Sequence, residues 1–153
     1  MLNKQVKPFT LAVPDLVLSD LKQRLKNTRW PDEIPDNNWQ FGADLGYLKD
    51  LCTYWADEYD WRAHEIVINK FRQYKARFAG IDLHFIYEEG NGTNPLPLLL
   101  SHGWPGSVYE FHKIIPMLTD PEAHGGSAED SFTVIAPSLP GYTFSYEPGQ
   151  ARF

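Results

Sequence analysis

Cysteine is almost absent from this chain: Cys52 is the single one among 153 residues. One thiol excludes an internal disulfide framework and fits a reducing compartment. Long apolar runs are missing too, and none approaches the roughly 18–20 residues needed to span a bilayer. The opening Met-Leu-Asn-Lys-Gln-Val-Lys-Pro lacks the apolar stretch of a secretory signal. The expectation is a soluble, cytoplasmic protein that engages no membrane. Positive charge is also scarce: 14 Lys and Arg against 20 Asp and Glu leave a net charge of −6. That removes the electrostatic basis for holding nucleic acid or an anionic surface. The local basic residues Arg72, Lys75 and Arg77 read as a solvated strand face. No Gly-X-Ser-X-Gly occurs, so no serine nucleophile is set on a strand-to-helix elbow. His64, His84, His112 and His124 show no His-Glu-X-X-His spacing, so neither a metal nor a cofactor is expected. Internal repeats and low-complexity tracts are absent as well.

Apolar residues make up 42% of the chain and aromatics 14%, ample for a packed core. The length allows one ordinary domain, or a small one with part of another. Alternation at Phe9, Leu11 and Val13 predicts a short strand. Leu16, Leu18, Leu21 and Leu25 predict a helix with Pro14 just outside it and Asp15 as its cap. Two prolines, Pro31 and Pro35, end that pattern. Further helices are predicted from about Asp44 to Trp55 and from about Trp61 to Phe71. The many aromatics here, from Trp30 to Trp61, suggest a meander that packs onto something larger.

The pattern changes near Arg72. Tyr74, Ala76 and Phe78, then Ile81, Leu83, Phe85 and Tyr87, alternate around Ala79-Gly80 and predict a β-hairpin. Leu96–Leu100 is a nearly continuous apolar strand of the kind buried on both faces of a parallel sheet. Phe111, Ile114, Ile115 and Leu118 mark a helix, and 132–136 another buried strand. Hairpin, strand, helix, strand is the opening of an α/β sheet. The expected division is a helical meander at 1–72 and a partial α/β core at 73–153.

Ser101-His102-Gly103-Trp104-Pro105-Gly106-Ser107 stands between the apolar strand and a helix-like segment near Val108. A kinked loop in that place aims a backbone N–H at a developing oxyanion. Gly103 is expected to adopt a conformation closed to other residues. Pro105 stiffens the turn, Trp104 supplies the N–H, and His102 braces the loop. A strand-to-helix turn without chemistry is the competing reading of His-Gly-X-Pro alone.

Four more segments accompany the loop: Arg29-Trp30-Pro31-Asp32, Tyr59-Asp60-Trp61-Arg62, Ile81-Asp82-Leu83-His84-Phe85-Ile86, and Pro137-Ser138-Leu139-Pro140-Gly141-Tyr142. As an ordered set they resemble the epoxide hydrolases of the α/β-hydrolase superfamily, in the microsomal-type branch with an N-terminal extension. Thr143 departs from the pattern, since the family often has Gly before Phe-Ser. The resemblance implies an α/β fold whose helical extension precedes the first strands of the hydrolase sheet, here incomplete. It implies an Asp nucleophile that opens a small apolar epoxide, lid tyrosines that protonate the leaving oxygen, and a His-carboxylate pair that activates water. Of the site residues only Trp104 receives a direct role, as an oxyanion donor whose indole lines the substrate tunnel. His102, Gly103 and Pro105 shape its loop, and no cofactor is implied.

Gly42-Ala43-Asp44-Leu45-Gly46 matches a nucleophile elbow in letters. No apolar strand precedes it, so Asp44 reads as a helix cap. Cys52, beside Leu48 and Leu51 on a helix face, reads as a buried inert thiol. Tyr142, Tyr146, Glu88, Glu89 and Glu110 read as surface or packing residues. The expectation is therefore the N-terminal portion of an epoxide hydrolase, without nucleophile, base or acid, and inactive alone. The alternatives are half of a split enzyme, a non-catalytic interaction module, or another α/β-hydrolase such as a dehalogenase or esterase. Leu96–Leu100 would then be an open edge, available to a C-terminal half or to self-association.

Overall fold

The computed structural model describes residues 6–35, 37–78, 80–146 and 149. The chain divides into two compact units, Ala12–His64 and a second formed by Met1–Leu11 with Glu65–Phe153. This differs from the division at 72 and 73 read from the sequence. The reason is β1 (Val6–Phe9), which pairs antiparallel with β2 (Gln73–Phe78) and so belongs to the sheet. That strand also lies earlier than the Phe9–Val13 alternation predicts, and Leu11 is held differently. Its N–H donates to Asn69 Oδ1 at 2.9 Å, and its carbonyl accepts from Asn69 Nδ2 at 2.7 Å.

In the unit Ala12–His64, α1 (Asp15–Lys26) packs against α2 (Leu45–Asp57). Pro14, not Asp15, is the N-cap of α1. Asp15 instead pairs with Arg62, whose guanidinium also donates to the Val13 carbonyl at 2.8 Å. Asp44 caps α2, its Oδ1 accepting the Tyr47 N–H at 2.8 Å. Glu33 organises the meander between the helices by accepting from Asn37 Nδ2 and from the Leu45 N–H. Cys52 is half-buried rather than buried.

With β3 at Ile81–Glu88, β4 at Leu96–Leu99 and β5 at Phe132–Pro137, the second unit is a five-stranded sheet in the order β1-β2-β3-β5-β4. β2 and β3 (Ile81–Glu88) form the predicted hairpin, of which Ala79 lies outside the described residues. β3 pairs antiparallel with β5 (Phe132–Pro137), and β5 pairs parallel with β4 (Leu96–Leu99). Between β4 and β5 the chain crosses over through a 3-10 turn, Val108–Phe111, and α3 (Ile114–Thr119). One face of the sheet carries the core: Ile86, Val134 and Ala136 pack with Val108 and Ile115. The alternate residues Tyr74, Phe85, Tyr87 and Ile135 share the other face and are only half-buried. The basic residues of β2 and its approach are each engaged: Arg72 with Glu88 and Glu89, Arg77 with Asp82, and Lys75 over the Phe9 ring.

β4 is the outermost strand, with Leu96 62% and Leu99 64% exposed, not buried on both faces. The physical reason is that, among the described residues, only β5 adjoins it. The Leu100 N–H donates to Ile135 O at 2.9 Å, which directs the main-chain groups of Leu96, Leu98 and Leu100 toward β5. Those of Pro97 and Leu99 therefore face outward. Proline has no N–H to offer, so the outer edge of β4 has the Leu99 N–H as its one donor.

Candidate functional site: the loop after β4

The chain leaves β4 at its C-terminal end and enters a turn closed by the Gly106 N–H donating to Gly103 O at 2.7 Å. Inside the turn the Trp104–Pro105 peptide is cis, which makes it a type VI turn. Among the described residues nothing accepts the Trp104 N–H, and the indole is 79% exposed. The turn therefore presents the unbonded Trp104 N–H and a large apolar ring side by side. Gly103 does not behave as expected. Its φ lies outside the left-handed range, and an added Cβ would meet nothing within 4 Å. Steric demand on that position comes from no described neighbour.

The turn is held from both ends. On the far side, Ser107 starts the 3-10 turn with a capping box: its N–H donates to Glu110 Oε1 at 3.0 Å, and its Oγ accepts from Tyr109 N at 3.2 Å. Glu110 thus has a structural task. On the near side His102 is 4% exposed. Its Nε2 accepts the Leu139 N–H at 3.0 Å, and its Nδ1 stands 3.3 Å from Gly103 O. Because Nε2 is an acceptor, the neutral ring carries its proton on Nδ1. Tyr142 packs edge-on against the same ring, with centroids 5.1 Å apart.

Behind this loop lies a second histidine that sequence reasoning passed over. His84 on β3 is fully buried, with Nδ1 2.8 Å from Ser138 Oγ and Nε2 3.0 Å from Gln73 Oε1. Burial, and then the charge of Lys75, lowers its pKa from 6.5 to about 4. The Ser145 hydroxyl accepts the His84 N–H and donates to Ser138 O, both at 2.8 Å. The available signal was a histidine set between Leu83 and Phe85 in the run Ile81-Asp82-Leu83-His84-Phe85-Ile86.

Asp44 stays apart from this machinery as a helix cap, in the unit Ala12–His64. Among the described residues no group of three or more His, Cys, Asp and Glu could hold a metal ion. No helix among them is long and apolar enough to cross a membrane. Open clefts occur in the unit Ala12–His64, the most apolar of about 400 Å³ between Leu21, Leu51, Tyr54, Trp55, Tyr59 and Trp61.

An antiparallel hairpin beside a parallel β5–β4 pair, with a His-Gly-Trp-Pro turn at the end of β4, has the α/β-hydrolase fold. The family model described as "alpha/beta hydrolase fold" matches residues 97–153. Residues 6–111 match the model "Epoxide hydrolase N terminus", and the chain belongs to this epoxide hydrolase family. It is 42% identical over 155 aligned residues to epoxide hydrolase 1 of Sus scrofa, covering 99% of this chain and 34% of that protein. The solved epoxide hydrolase of Aspergillus niger superposes with a TM-score of 0.81 at 31% identity, over 96% of this chain and 38% of that one. The juvenile hormone epoxide hydrolase of Bombyx mori gives 0.79 at 33% identity, over 95% and 40%. The chain thus spans little more than a third of the length of the relatives it matches.

Proposed function

We propose that this chain supplies the oxyanion wall of an epoxide hydrolase that converts a small apolar epoxide and water into a vicinal diol. A carboxylate outside the described residues attacks an epoxide carbon, and the ring C–O bond breaks while an acid, also outside them, protonates the departing oxygen to leave a hydroxy ester. Water, deprotonated by a base, then adds to the ester carbonyl. The negative charge that develops on the carbonyl oxygen is received by the Trp104 N–H. The indole of Trp104 forms part of the apolar wall along which the substrate enters. His102 and Pro105 hold the turn, and no residue described here serves as nucleophile, base or acid.

One observation carries this reading: the Trp104 N–H has no acceptor among the described residues, in a turn closed by the Gly106 N–H and flanked by the hydrogen bonds of His102 and Ser107. The membership of the chain in the epoxide hydrolase family gives that donor its chemical sense. The test is a fusion of this chain to the part of the Sus scrofa relative that it does not cover. The fusion is expected to open styrene oxide to the diol, and the isolated chain to give none. Trp104→Pro, which removes the N–H, lowers kcat by about 10²–10³, whereas Trp104→Phe, which keeps it, falls far less. Equal losses from the two substitutions refute the donor role.

A second reading rests on the exposed edge at β4. There the chain meets whatever completes its sheet, a C-terminal half or a second copy, and acts as an interaction module.

A further inference from the structure

Two histidines act on consecutive residues of the segment after β5. His84 engages the side chain of Ser138, and His102 engages the main chain of Leu139. The direction of each hydrogen bond follows from the partners. Gln73 Nε2 donates to Ile68 O at 3.1 Å and to Asn69 Oδ1 at 3.3 Å, so its Oε1 is the atom that faces His84. An amide oxygen only accepts, so His84 Nε2 carries the proton. His84 Nδ1 is then bare and accepts from the Ser138 hydroxyl, which in turn accepts from Thr143 Oγ1 at 3.0 Å. The chain of donors runs from Thr143 through Ser138 and His84 to Gln73, and on to Asn69, which is bonded to Leu11. His102, accepting at Nε2, holds the opposite tautomer.

We propose that His84 is a positioning residue for the oxyanion loop: with His102 in the opposite neutral tautomer, it clamps Ser138-Leu139 and so fixes where the Trp104 N–H points. His84 touches no reacting atom and acts only through Ser138, Leu139 and His102. The sheet interior thereby sets the loop. The 138–145 segment is the link, since Ser145 closes it onto both β3 and Ser138. The functional sense of the clamp rests on the oxyanion reading above; the hydrogen bonds do not.

The clamp is tested without turnover, on the whole chain carrying ¹⁵N-labelled histidine. Long-range proton–nitrogen correlation at neutral pH is expected to show His84 protonated on Nε2 and His102 protonated on Nδ1. The same tautomer at both positions overturns the proposal. Ser138→Ala then removes one hydroxyl. Loss of one hydrogen bond is expected to accelerate exchange of the Leu139 N–H about fivefold to tenfold and to move the His102 Nε2 resonance. Amides of the β3–β5 ladder are expected to change far less. Acceleration spread evenly over that ladder marks a merely structural role and also overturns the clamp, as does an unchanged Leu139. Thr143→Ser, which keeps the hydroxyl, is expected to behave as the parent chain. Should Ser138→Ala not fold, the tautomers of the parent chain still decide. A failed clamp leaves the proposed function standing, and an inactive fusion leaves the clamp standing.

Discussion

A Cβ placed on Gly106 would stand 1.4 Å from Glu110 Oε1, the atom that accepts the Ser107 N–H. The absence of a side chain at one residue is what lets the other reach back and close the capping box. Glu110→Ala is expected to cost about 1 kcal/mol in urea unfolding. Gly106→Ala displaces the same carboxylate but recovers about 0.4–1 kcal/mol of unfolded-chain entropy, so alone it is close to neutral. In the Glu110→Ala background it becomes stabilising. Simple additivity of the two changes refutes the coupling.

Acid weakens this protein through His84. Its folded pKa, lowered to about 4, lies below its ordinary 6.5 because burial and then Lys75 disfavour the charged ring. The unfolded chain therefore binds the proton more readily, and stability rises with pH across that window. The contribution is complete above pH 6.5 and is lost as pH falls toward 4. Between pH 6.5 and 5 it amounts to about 2 kcal/mol. Urea midpoints measured at several pH values in the parent and in His84→Asn check this, and the variant is expected to give the flatter profile.

Thr143 stands at φ 37°, a left-handed conformation that β-branched residues avoid. Its hydroxyl donates to Ser138 Oγ, which offsets the strain. Thr143→Gly relieves about 1 kcal/mol of strain but loses the bond and gains unfolded-state freedom. The net change in unfolding free energy is expected to be small. Thr143→Val keeps the strain and loses the bond, and is expected to cost about 1–2 kcal/mol.

Asp44 offers a clean separation of cap from nucleophile. Asn caps a helix as well as Asp does, so Asp44→Asn is expected to leave both melting and styrene oxide turnover of the fusion unchanged. Asp44→Ala costs about 1 kcal/mol and also leaves kcat unchanged. Loss of turnover in Asp44→Asn assigns the nucleophile here instead.

The isolated chain is expected to self-associate at micromolar concentration. Leu99, 64% exposed on the outermost strand, is the residue to change. Leu99→Lys places a charge on that edge and is expected to lower the weight-average mass in sedimentation equilibrium. A parent chain that is monomeric and melts sharply and reversibly counts against the expectation.

Local patterning made most elements legible. Period-two alternation found the hairpin, Pro14 marked the start of α1, Asp44 marked the cap of α2, and the His-Gly-Trp-Pro letters marked the turn. What stayed hidden depends on partners distant in sequence. β1 pairs with a strand more than sixty positions away, and no local alternation records it. On β3 the alternating set Ile81, Leu83, Phe85 and Tyr87 is the more apolar, yet the more buried face carries His84 and Ile86. Apolarity measures preference for burial, whereas His84 is inside because Ser138 and Gln73 satisfy both of its nitrogens. The position of His102 in the loop was readable, but its hydrogen-bond partner, Leu139, was not.

The outward-facing Pro97 limits what the edge of β4 can recognise. With the Leu99 N–H as its one donor, the main chain offers an arriving strand little beyond a place to lie. A foreign strand and a second copy of β4 would find the same sparse ladder. Choice between them must then come from the fit of side chains around Leu96, Leu99 and the two sheet faces. An edge poor in donors is in this sense a lock whose pins are all apolar: it stays shut to a passing peptide and opens to a complementary surface.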